Sequence, residues 1–399
     1  MSIDRQCRYN HWRGRADWLV FDYAINAMGV DLILSVDALE PRPSGIARYN
    51  WALASRVGAM PEVASIRFYR SGHWIADPAV LVRSVEADAK PRRLSRDPRP
   101  RWWRVLSHRR FARGHLFHAP NYFLPEWAER GIVTLHDLSV LRYPETHPAD
   151  RVAYFERHLI PSLARAAHVI TVSETIRQEA IGSFSLDPAR VTAIYNGVES
   201  IFHPRSAEEL APVLGRYGLM PGAYALCVST IEPRKRVPQL LRAWSLLPAD
   251  LRERTPLVLV GARGWLGEEA DLLIADGLKA GWLLQPGFVP DADLPLLYAG
   301  SALFLYPSIY EGFGLPPAEA MASGVPVVAA SASCLPEVTD GAAMLVEPDD
   351  VEDFALRIER ALTDDGWRMD ARTRGLAVAK RYDWDRCARA TAAVYGRVG

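Results

Sequence analysis

Glu311 and Glu319 bracket the run Glu311-Gly312-Phe313-Gly314-Leu315-Pro316-Pro317-Ala318-Glu319, and their types and spacing suit a site that handles sugar hydroxyls and phosphate. Pro316 and Pro317 fit a first helical turn, where a missing N–H costs nothing. That puts Glu311 in a glycine loop and Glu319 in the first or second turn of the helix that follows, so both carboxylates can reach one pocket. Gly312 and Gly314 let backbone N–H groups approach a ligand closely, and the helix N-terminus beside them favours an anion such as a diphosphate. Taken alone, the acids read better as a solvated loop residue and a first-turn residue stabilised by the helix dipole. The glycines and prolines between them favour the pocket.

A second group follows a separate apolar run. In Ser229-Thr230-Ile231-Glu232-Pro233-Arg234-Lys235-Arg236, three consecutive cations stand just past the strand-like residues 224–228. They can neutralise a diphosphate leaving group that otherwise needs a metal ion. His136 and Asp137 end the apolar run 132–135; a histidine there can hydrogen-bond a sugar hydroxyl or phosphate, or pack as a satisfied residue at a domain edge. His118, in Phe117-His118-Ala119-Pro120-Asn121, has the same setting. Ser44-Gly45-Ile46-Ala47-Arg48-Tyr49 opens a helix after the first strand-like run. Gly45 lets the backbone approach an acceptor, and Arg48 can meet a phosphate or sit on a solvated helix face.

These groups need strands to carry them. Strand-like runs at 32–36, 115–118, 131–135, 168–172 and 191–194 alternate with helix-like segments. The pattern breaks around Phe202-His203-Pro204-Arg205 and restarts at 224–228, 257–261, 283–285, 303–306 and 325–329. Such alternation predicts parallel sheets of βα units. The expected fold class is α/β: two Rossmann-like, doubly wound domains facing a central cleft, because such sheets bind ligands beyond the carboxyl ends of their strands. The expected divisions are a first domain at 29–205, a linker at 206–220, a second domain at 221–380 and a C-terminal helix at 381–399 that can pack back on the first domain. Met28 directly precedes the first run, so residues 1–28 are expected to be an extension, either poorly ordered or the product of an upstream start codon.

The 399 residues, 49% hydrophobic and 24% charged, describe a globular chain of two domains with a large core. No apolar stretch approaches the ~20 residues of a membrane-spanning helix and the N-terminus lacks a secretory pattern, so a cytoplasmic location is expected. Cys7, Cys227, Cys334 and Cys387 show no metal-ligand spacing and read as reduced thiols. Net charge is zero, yet residues 90–113, from Lys90 to Arg113, carry ten Lys or Arg against one acid, Asp97, with Trp102 and Trp103 among them. This run reads as a solvated loop, or as a contact for an anionic membrane surface or a diphosphate-bearing lipid. Pro91, Pro98 and Pro100 interrupt any long helix, and nothing else in the chain suits nucleic acid, so no nucleic-acid partner is expected.

Six segments, SGIARY, HDLSVLRYPETHP, ITVSE, YNGVE, STIEPRKR and EGFGLPPAEAMASGVPVVA, together resemble the retaining glycosyltransferases of family 4, which have the GT-B fold. The resemblance runs from about Leu32 to the C-terminus. It implies that the first domain binds the acceptor and the second the nucleotide sugar. Glu311 is then placed beside the donor sugar, Glu319 on the ribose of the nucleotide, and Lys235 on the diphosphate with help from Arg234. Gly312, Phe313, Gly314 and Leu315 complete the donor site, His136 lies near the reacting sugar and phosphate, and Gly45, Arg48 and His118 stand on the acceptor side. Many relatives carry Gly-Arg where this chain has Val228-Ser229, so one diphosphate arginine is missing and Arg234 is expected to substitute.

The implied reaction moves a hexose from a nucleotide sugar to a saccharide hydroxyl with retention at the anomeric carbon. No metal and no cofactor beyond that co-substrate is expected. Asp291-Ala292-Asp293 spells a metal-binding pattern of glycosyltransferases of another fold, but Asp293 is expected to cap the helix after it, as is Asp350 in Asp349-Asp350. The HDLSVLRYPETHP block with its EPRK partner resembles bacterial mannosyl and rhamnosyl transferases of surface-polysaccharide assembly. That implies GDP-mannose as donor and a lipid-linked oligosaccharide as acceptor, at the inner face of the cytoplasmic membrane. The alternatives are a rhamnosyl or glucosyl transferase with another donor, a sugar-nucleotide epimerase on the same scaffold, and an inactive partner subunit.

Overall fold

The apolar runs become the strands of two sheets. In the first, β1 (Val30–Ser35), β2 (Val63–Arg70), β3 (His73–Ile75), β4 (Leu116–Ala119), β5 (Gly131–Leu135), β6 (Ala166–Thr171) and β7 (Val191–Ala193) lie in the order β3-β2-β1-β4-β5-β6-β7. Among the described residues, only the β2–β3 hairpin is antiparallel. In the second, β8 (Ala225–Val228), β9 (Leu257–Val260), β10 (Leu283–Leu284), β11 (Leu303–Tyr306), β12 (Val327–Ala330) and β13 (Met344–Val346) lie in the order β10-β9-β8-β11-β12-β13. All its pairs are parallel. Two doubly wound sheets are the expected fold class. The computed structural model describes residues 29–41, 44–82, 101–262, 264, 268–287 and 289–399; the expected extension at 1–28 and the part of the basic run at 90–100 lie outside them.

Sheet order places the site. β1 lies between β2 and β4, and β8 between β9 and β11. At these strands the chain reverses its direction of growth across the sheet, so the loops leaving β8 and β11 part to opposite faces and open a crevice at the carboxyl ends. The cationic group leaves β8 and Glu311 follows β11; Gly45 follows β1 and His136 follows β5. Leu32, Ile33 and Leu34 of β1 are fully buried, each contributing about 1.5–3 kcal/mol by leaving water, and this burial fixes the strand ends that present the loops.

The structure departs from the sequence reading in three strands and one segment. β2 carries exposed and buried residues mixed along its length, so it lacks the continuous apolar run of a strand covered on both faces. β3 and β13 span three residues each, too few for a period. The segment 206–220, expected to be a linker, contains the helix Ala207–Leu214, started by a capping box between Ser206 and Glu209. Leu210 and Leu214 sit in the core under the second sheet. The Ser-x-x-Glu signal was present in the sequence.

The last helix, Trp384–Val398, returns to the first sheet. Trp384, Cys387, Ala388, Ala392, Val394 and Tyr395 pack with Leu32, Leu34, Leu116 and Ile132. A Cβ on Gly197, in the YNGVE segment, would lie 2.3 Å from the Trp384 backbone nitrogen, so glycine is what lets the two crossing segments pass. Cys227, Cys334 and Cys387 are buried and unpaired. Among the described residues no helix is long and apolar enough to cross a membrane.

Candidate active site

Glu311 is 9% exposed, and its hydrogen bonds converge on one oxygen. Oε1 accepts from Lys235 Nζ at 2.5 Å, Ser308 Oγ at 2.5 Å and the Tyr306 hydroxyl at 2.9 Å, with Arg234 Nη1 3.5 Å away. Oε2 takes no hydrogen bond among the described residues, which leaves it for a ligand hydroxyl. Burial alone would raise this carboxyl. The adjoining Lys235 and Arg234 charges, together with the hydrogen bonds from Lys235 and Ser308, outweigh that and hold it down at about 2. Glu311 is therefore an anion at neutral pH and an acceptor of hydrogen bonds only.

Lys235 ends the short turn Pro233–Lys235 after β8. Its ammonium donates to Glu311 and, at 3.1 Å, to the Tyr306 hydroxyl. An ammonium has three N–H donors, so one remains for a phosphate oxygen. Arg234 is engaged differently: Nη2 donates to Glu232 at 2.7 Å and Nη1 to the carbonyl of Tyr310, while its own carbonyl accepts from the Ile309 N–H at 3.1 Å. It ties the β8 loop to the β11 loop and neutralises Glu311. The guanidinium that the sequence expects to substitute for a missing diphosphate arginine is thus anchored at both Nη atoms before any ligand arrives. Ser229, which occupies that arginine's position, is buried, and its hydroxyl oxygen has no oxygen or nitrogen partner among the described residues.

The backbone after Glu311 forms the other side of this cradle. Gly314 caps the helix Leu315–Ala322 with φ +81°, in the left-handed region that favours glycine. The N–H groups of Gly312, Phe313 and Gly314 make no hydrogen bond among the described residues, although buried amides are normally paired. Free amides at a helix N-terminus suit an anion. The Phe313 ring packs edge-on against Tyr382, with centroids 5.0 Å apart, so it is the backbone of this residue that can face a ligand.

Glu319 and Arg48 meet across the cleft. Arg48 Nη1, on the helix Gly45–Ala54 of the first domain, donates to Glu319 Oε1 at 2.5 Å. Burial raises the Glu319 carboxyl above its ordinary value, and the Arg48 guanidinium opposes the shift. Gly45 and Leu315 also face each other: a Cβ on Gly45 would come 3.3 Å from Leu315 Cδ1. The site thus joins two residues that the sequence assigned to different substrates.

Further bonds between the domains flank the donor loop, and the sequence reading did not name them. Ser173 Oγ donates to the Gly312 carbonyl at 2.6 Å. Glu337 accepts from the N–H groups of Glu174 and Thr175 at 2.7 and 2.8 Å, at the start of the helix Glu174–Phe184, where a carboxylate suits the helix dipole. Tyr310 accepts from the Leu138 N–H at 3.1 Å and donates to Glu179.

His136 is buried, with its ring edge-on to Tyr49 at 5.0 Å. Nε2 lies 2.7 Å from the Pro120 carbonyl; a carbonyl only accepts, so Nε2 carries the proton and Nδ1 the lone pair. Burial lowers its pKa, and the Pro120 bond counteracts part of that. The His136 carbonyl meets the donor loop: a Cβ on Gly312 would sit 1.6 Å from that oxygen. His118 is in a different place from the one expected. It is fully buried, bonded through Nδ1 to the Tyr395 hydroxyl at 2.7 Å and through Nε2 to Thr134 Oγ1 at 2.9 Å. With both nitrogens engaged and burial holding its pKa down at about 3, it is a neutral core residue, not an acceptor ligand.

Asp293 of the Asp-x-Asp segment is held within the second domain. Asp293 stands at the N-cap position of the helix Leu294–Gly300 but does not cap it with its side chain. Its carboxylate accepts from Arg216 at 2.7 Å and the Tyr217 hydroxyl at 2.6 Å. Asp350 does cap its helix, accepting from the Asp353 N–H at 2.8 Å.

Known proteins resemble both halves of this chain. Residues 43–200 match the family described as Glycosyltransferase Family 4 and residues 220–377 the family described as Glycosyl transferases group 1. The O-antigen chain mannosyltransferase B of Escherichia coli is 38% identical over 376 residues, covering 91% of this chain and 99% of the relative. The serotype-specific mannosyltransferase WbdA of Escherichia coli is 32% identical over 258 residues, 63% of this chain but only 32% of that longer protein. Among solved structures, WaaG, a glycosyltransferase involved in lipopolysaccharide biosynthesis, superposes with a TM-score of 0.68 at 18% identity over 91% of this chain and 99% of its own. Anabaena HepE in complex with UDP and glucose gives 0.67 at 17%, over 92% and 99%. These two establish the fold. The end-to-end relative at 38% identity, with a family match to each half, places the chain in glycosyltransferase family 4, and its enzymatic activity is that of a glycosyltransferase.

Proposed function

We propose that this enzyme transfers mannose from GDP-mannose, with retention, to a lipid-linked oligosaccharide during O-antigen or related polysaccharide assembly. The observation that carries a sugar-nucleotide donor is the Glu311 carboxylate, saturated on Oε1 by Lys235, Ser308 and Tyr306 and open on Oε2. The open oxygen suits a donor hydroxyl, while the third N–H of Lys235 and the free amides of Gly312, Phe313 and Gly314 suit the diphosphate. Mannose is favoured by the relatives, which include the O-antigen chain mannosyltransferases B and RfbU. As the bond to the anomeric carbon loosens, charge develops on the diphosphate, where Lys235 stabilises it. A phosphate oxygen on the same face takes the acceptor proton, so no enzyme nucleophile is needed. Incubation with a mannose-terminated lipid-linked acceptor should give a product one hexose heavier from GDP-mannose and none from UDP-glucose, with an α linkage by NMR. Transfer from UDP-glucose alone, or a β product, overturns the donor or the stereochemistry respectively.

The helix Arg101–Phe111 supports a membrane-side acceptor. Trp102 and Leu106 are 64% and 58% exposed, on a helix that ends in His108, Arg109 and Arg110. Aromatic and apolar side chains beside cations suit the interface of an anionic bilayer, with about 1 kcal/mol for each basic residue near the surface. The expected result is co-sedimentation with phosphatidylglycerol vesicles that drops about tenfold or more when Trp102 and Leu106 become Ser and Arg109 and Arg110 become Gln. Equal binding of the wild type and this variant rejects the contact.

A further inference from the structure

The block HDLSVLRYPETHP contains a hydrogen-bond relay that donor chemistry leaves unused. Asp137 Oδ1 accepts from the Ser139 N–H at 3.0 Å and from the Ser139 hydroxyl at 2.8 Å. With its hydroxyl hydrogen directed at Asp137, Ser139 Oγ accepts from His147 Nε2, 3.2 Å away. The neutral imidazole then carries its lone pair on Nδ1, which is buried and has no partner among the described residues. Burial lowers the His147 pKa, and the nearby Arg151 and Arg234 charges lower it further, in keeping with a neutral ring. The Asp137 backbone is fixed too, its N–H donating to the Tyr122 hydroxyl at 3.1 Å. Asp137 is thus held through one oxygen and its backbone, while Oδ2 takes no hydrogen bond among the described residues.

The place of that free oxygen gives it a task. Asp137 follows His136 at the carboxyl end of β5, on the first-domain wall of the cleft. Its Cβ lies 3.3 Å from where a Cβ on Gly312 would stand, and Gly312 is the neighbour of Glu311. From the same block, the Tyr143 ring packs 5.4 Å from that of Tyr310, the other neighbour of Glu311. We propose that Asp137, braced by Ser139 and His147, positions the acceptor by taking a hydrogen bond from an acceptor-sugar hydroxyl beside the donor sugar. An anionic group is excluded as its ligand, because a carboxylate only accepts hydrogen bonds and repels a second anion. The assignment rests on the glycosyl-transfer reading above and adds the residue that meets the second substrate.

Asp137→Asn keeps an oxygen for the two Ser139 donors and so keeps the turn. It should lower kcat/KM for the acceptor about 10- to 100-fold, the value of a hydrogen bond to a charged group, through a higher acceptor KM. The GDP dissociation constant, measured by calorimetry, should stay at the wild-type value. Ser139→Ala, which leaves Oδ1 the backbone N–H of residue 139 at 3.0 Å and the Tyr122 hydroxyl at 3.4 Å, should give a smaller loss of the same kind. Wild-type acceptor kinetics in Asp137→Asn overturn the assignment. So does a parallel loss of GDP affinity, which would move Asp137 to the donor side. If the wild type uses a UDP-sugar, the same ratios are taken with that donor and UDP, so the donor identity can fail while this role stands. A wild type that transfers from neither sinks both.

Discussion

Replacing Lys235 with alanine is expected to lower kcat about 100- to 1000-fold, the usual loss when one preorganised donor to a developing negative charge is removed. The site explains why no neighbour compensates. Arg234 is tied to Glu232 and the Tyr310 carbonyl, and Ser229 offers a hydroxyl where many relatives carry an arginine. Lys235 keeps its third N–H beside the amides of Gly312, Phe313 and Gly314, whereas the Arg234 nitrogen without a partner among the described residues, Nε, lies buried behind a guanidinium already held at both ends. The folded state should survive, because Glu311 keeps Ser308, Tyr306 and the nearby Arg234. Glu311→Ala is a poorer test of catalysis: it strips buried Lys235 of its counter-charge and leaves Arg234 with Glu232 alone, and breaking such a buried pair costs about 3–5 kcal/mol of stability. Glu311→Gln retains an oxygen for Ser308 and Tyr306 and should also cut kcat strongly. Release of nucleoside diphosphate, followed by chromatography at saturating acceptor, reads both variants. Wild-type turnover in either rejects its assignment.

What the sequence made legible follows from what local chemistry can encode. Alternating apolar runs specify parallel strands, and strand-end loops specify where ligands gather, so Lys235 and Glu311 emerge from pattern before any contact is seen. Glu319 emerges in the same way, from a helix start marked by Pro316 and Pro317. The errors arise where long-range packing decides. His118 and His136 both sit at strand ends, but the C-terminal helix brings Tyr395 over His118 and seals it in the core, and no spacing within residues 115–118 announces that. The opposite case is Arg48, which local sequence leaves open between a phosphate ligand and a solvated face. It is neither in this structure, because its partner Glu319 comes from the other domain. Asp137 and Ser139 lay inside a recognised block, and an Asp two residues before a Ser is a familiar side-chain-to-backbone turn signal. What that signal could not give was His147 behind Ser139 or Gly312 in front of Asp137.

Gly312→Ala is expected to be nearly as damaging as loss of Lys235, for a reason unconnected with charge. The new Cβ would fall 1.6 Å from the His136 carbonyl oxygen and 3.3 Å from Asp137 Cβ. The first distance is far inside van der Waals contact, and the atom struck is backbone at a strand end, which cannot swing aside as a side chain would. Gly312 is absent from the positions of positive φ, so alanine brings no dihedral strain of its own and the conflict lies wholly between the domains. The cleft should then stay open, with Ser173 drawn away from the Gly312 carbonyl and Arg48 from Glu319, while each sheet keeps its own core. A displacement of about 1 Å between reacting groups costs on the order of 100-fold in rate, and opening by more than a methyl group should cost at least that in kcat/KM. Nucleoside diphosphate still meets Lys235 on the second domain, so its affinity should fall far less than turnover. Solution scattering with nucleotide present should show a larger radius of gyration than the wild type. A variant that closes and turns over normally would mean that the contact of Gly312 with His136 is dispensable and that the two walls of the site can work further apart.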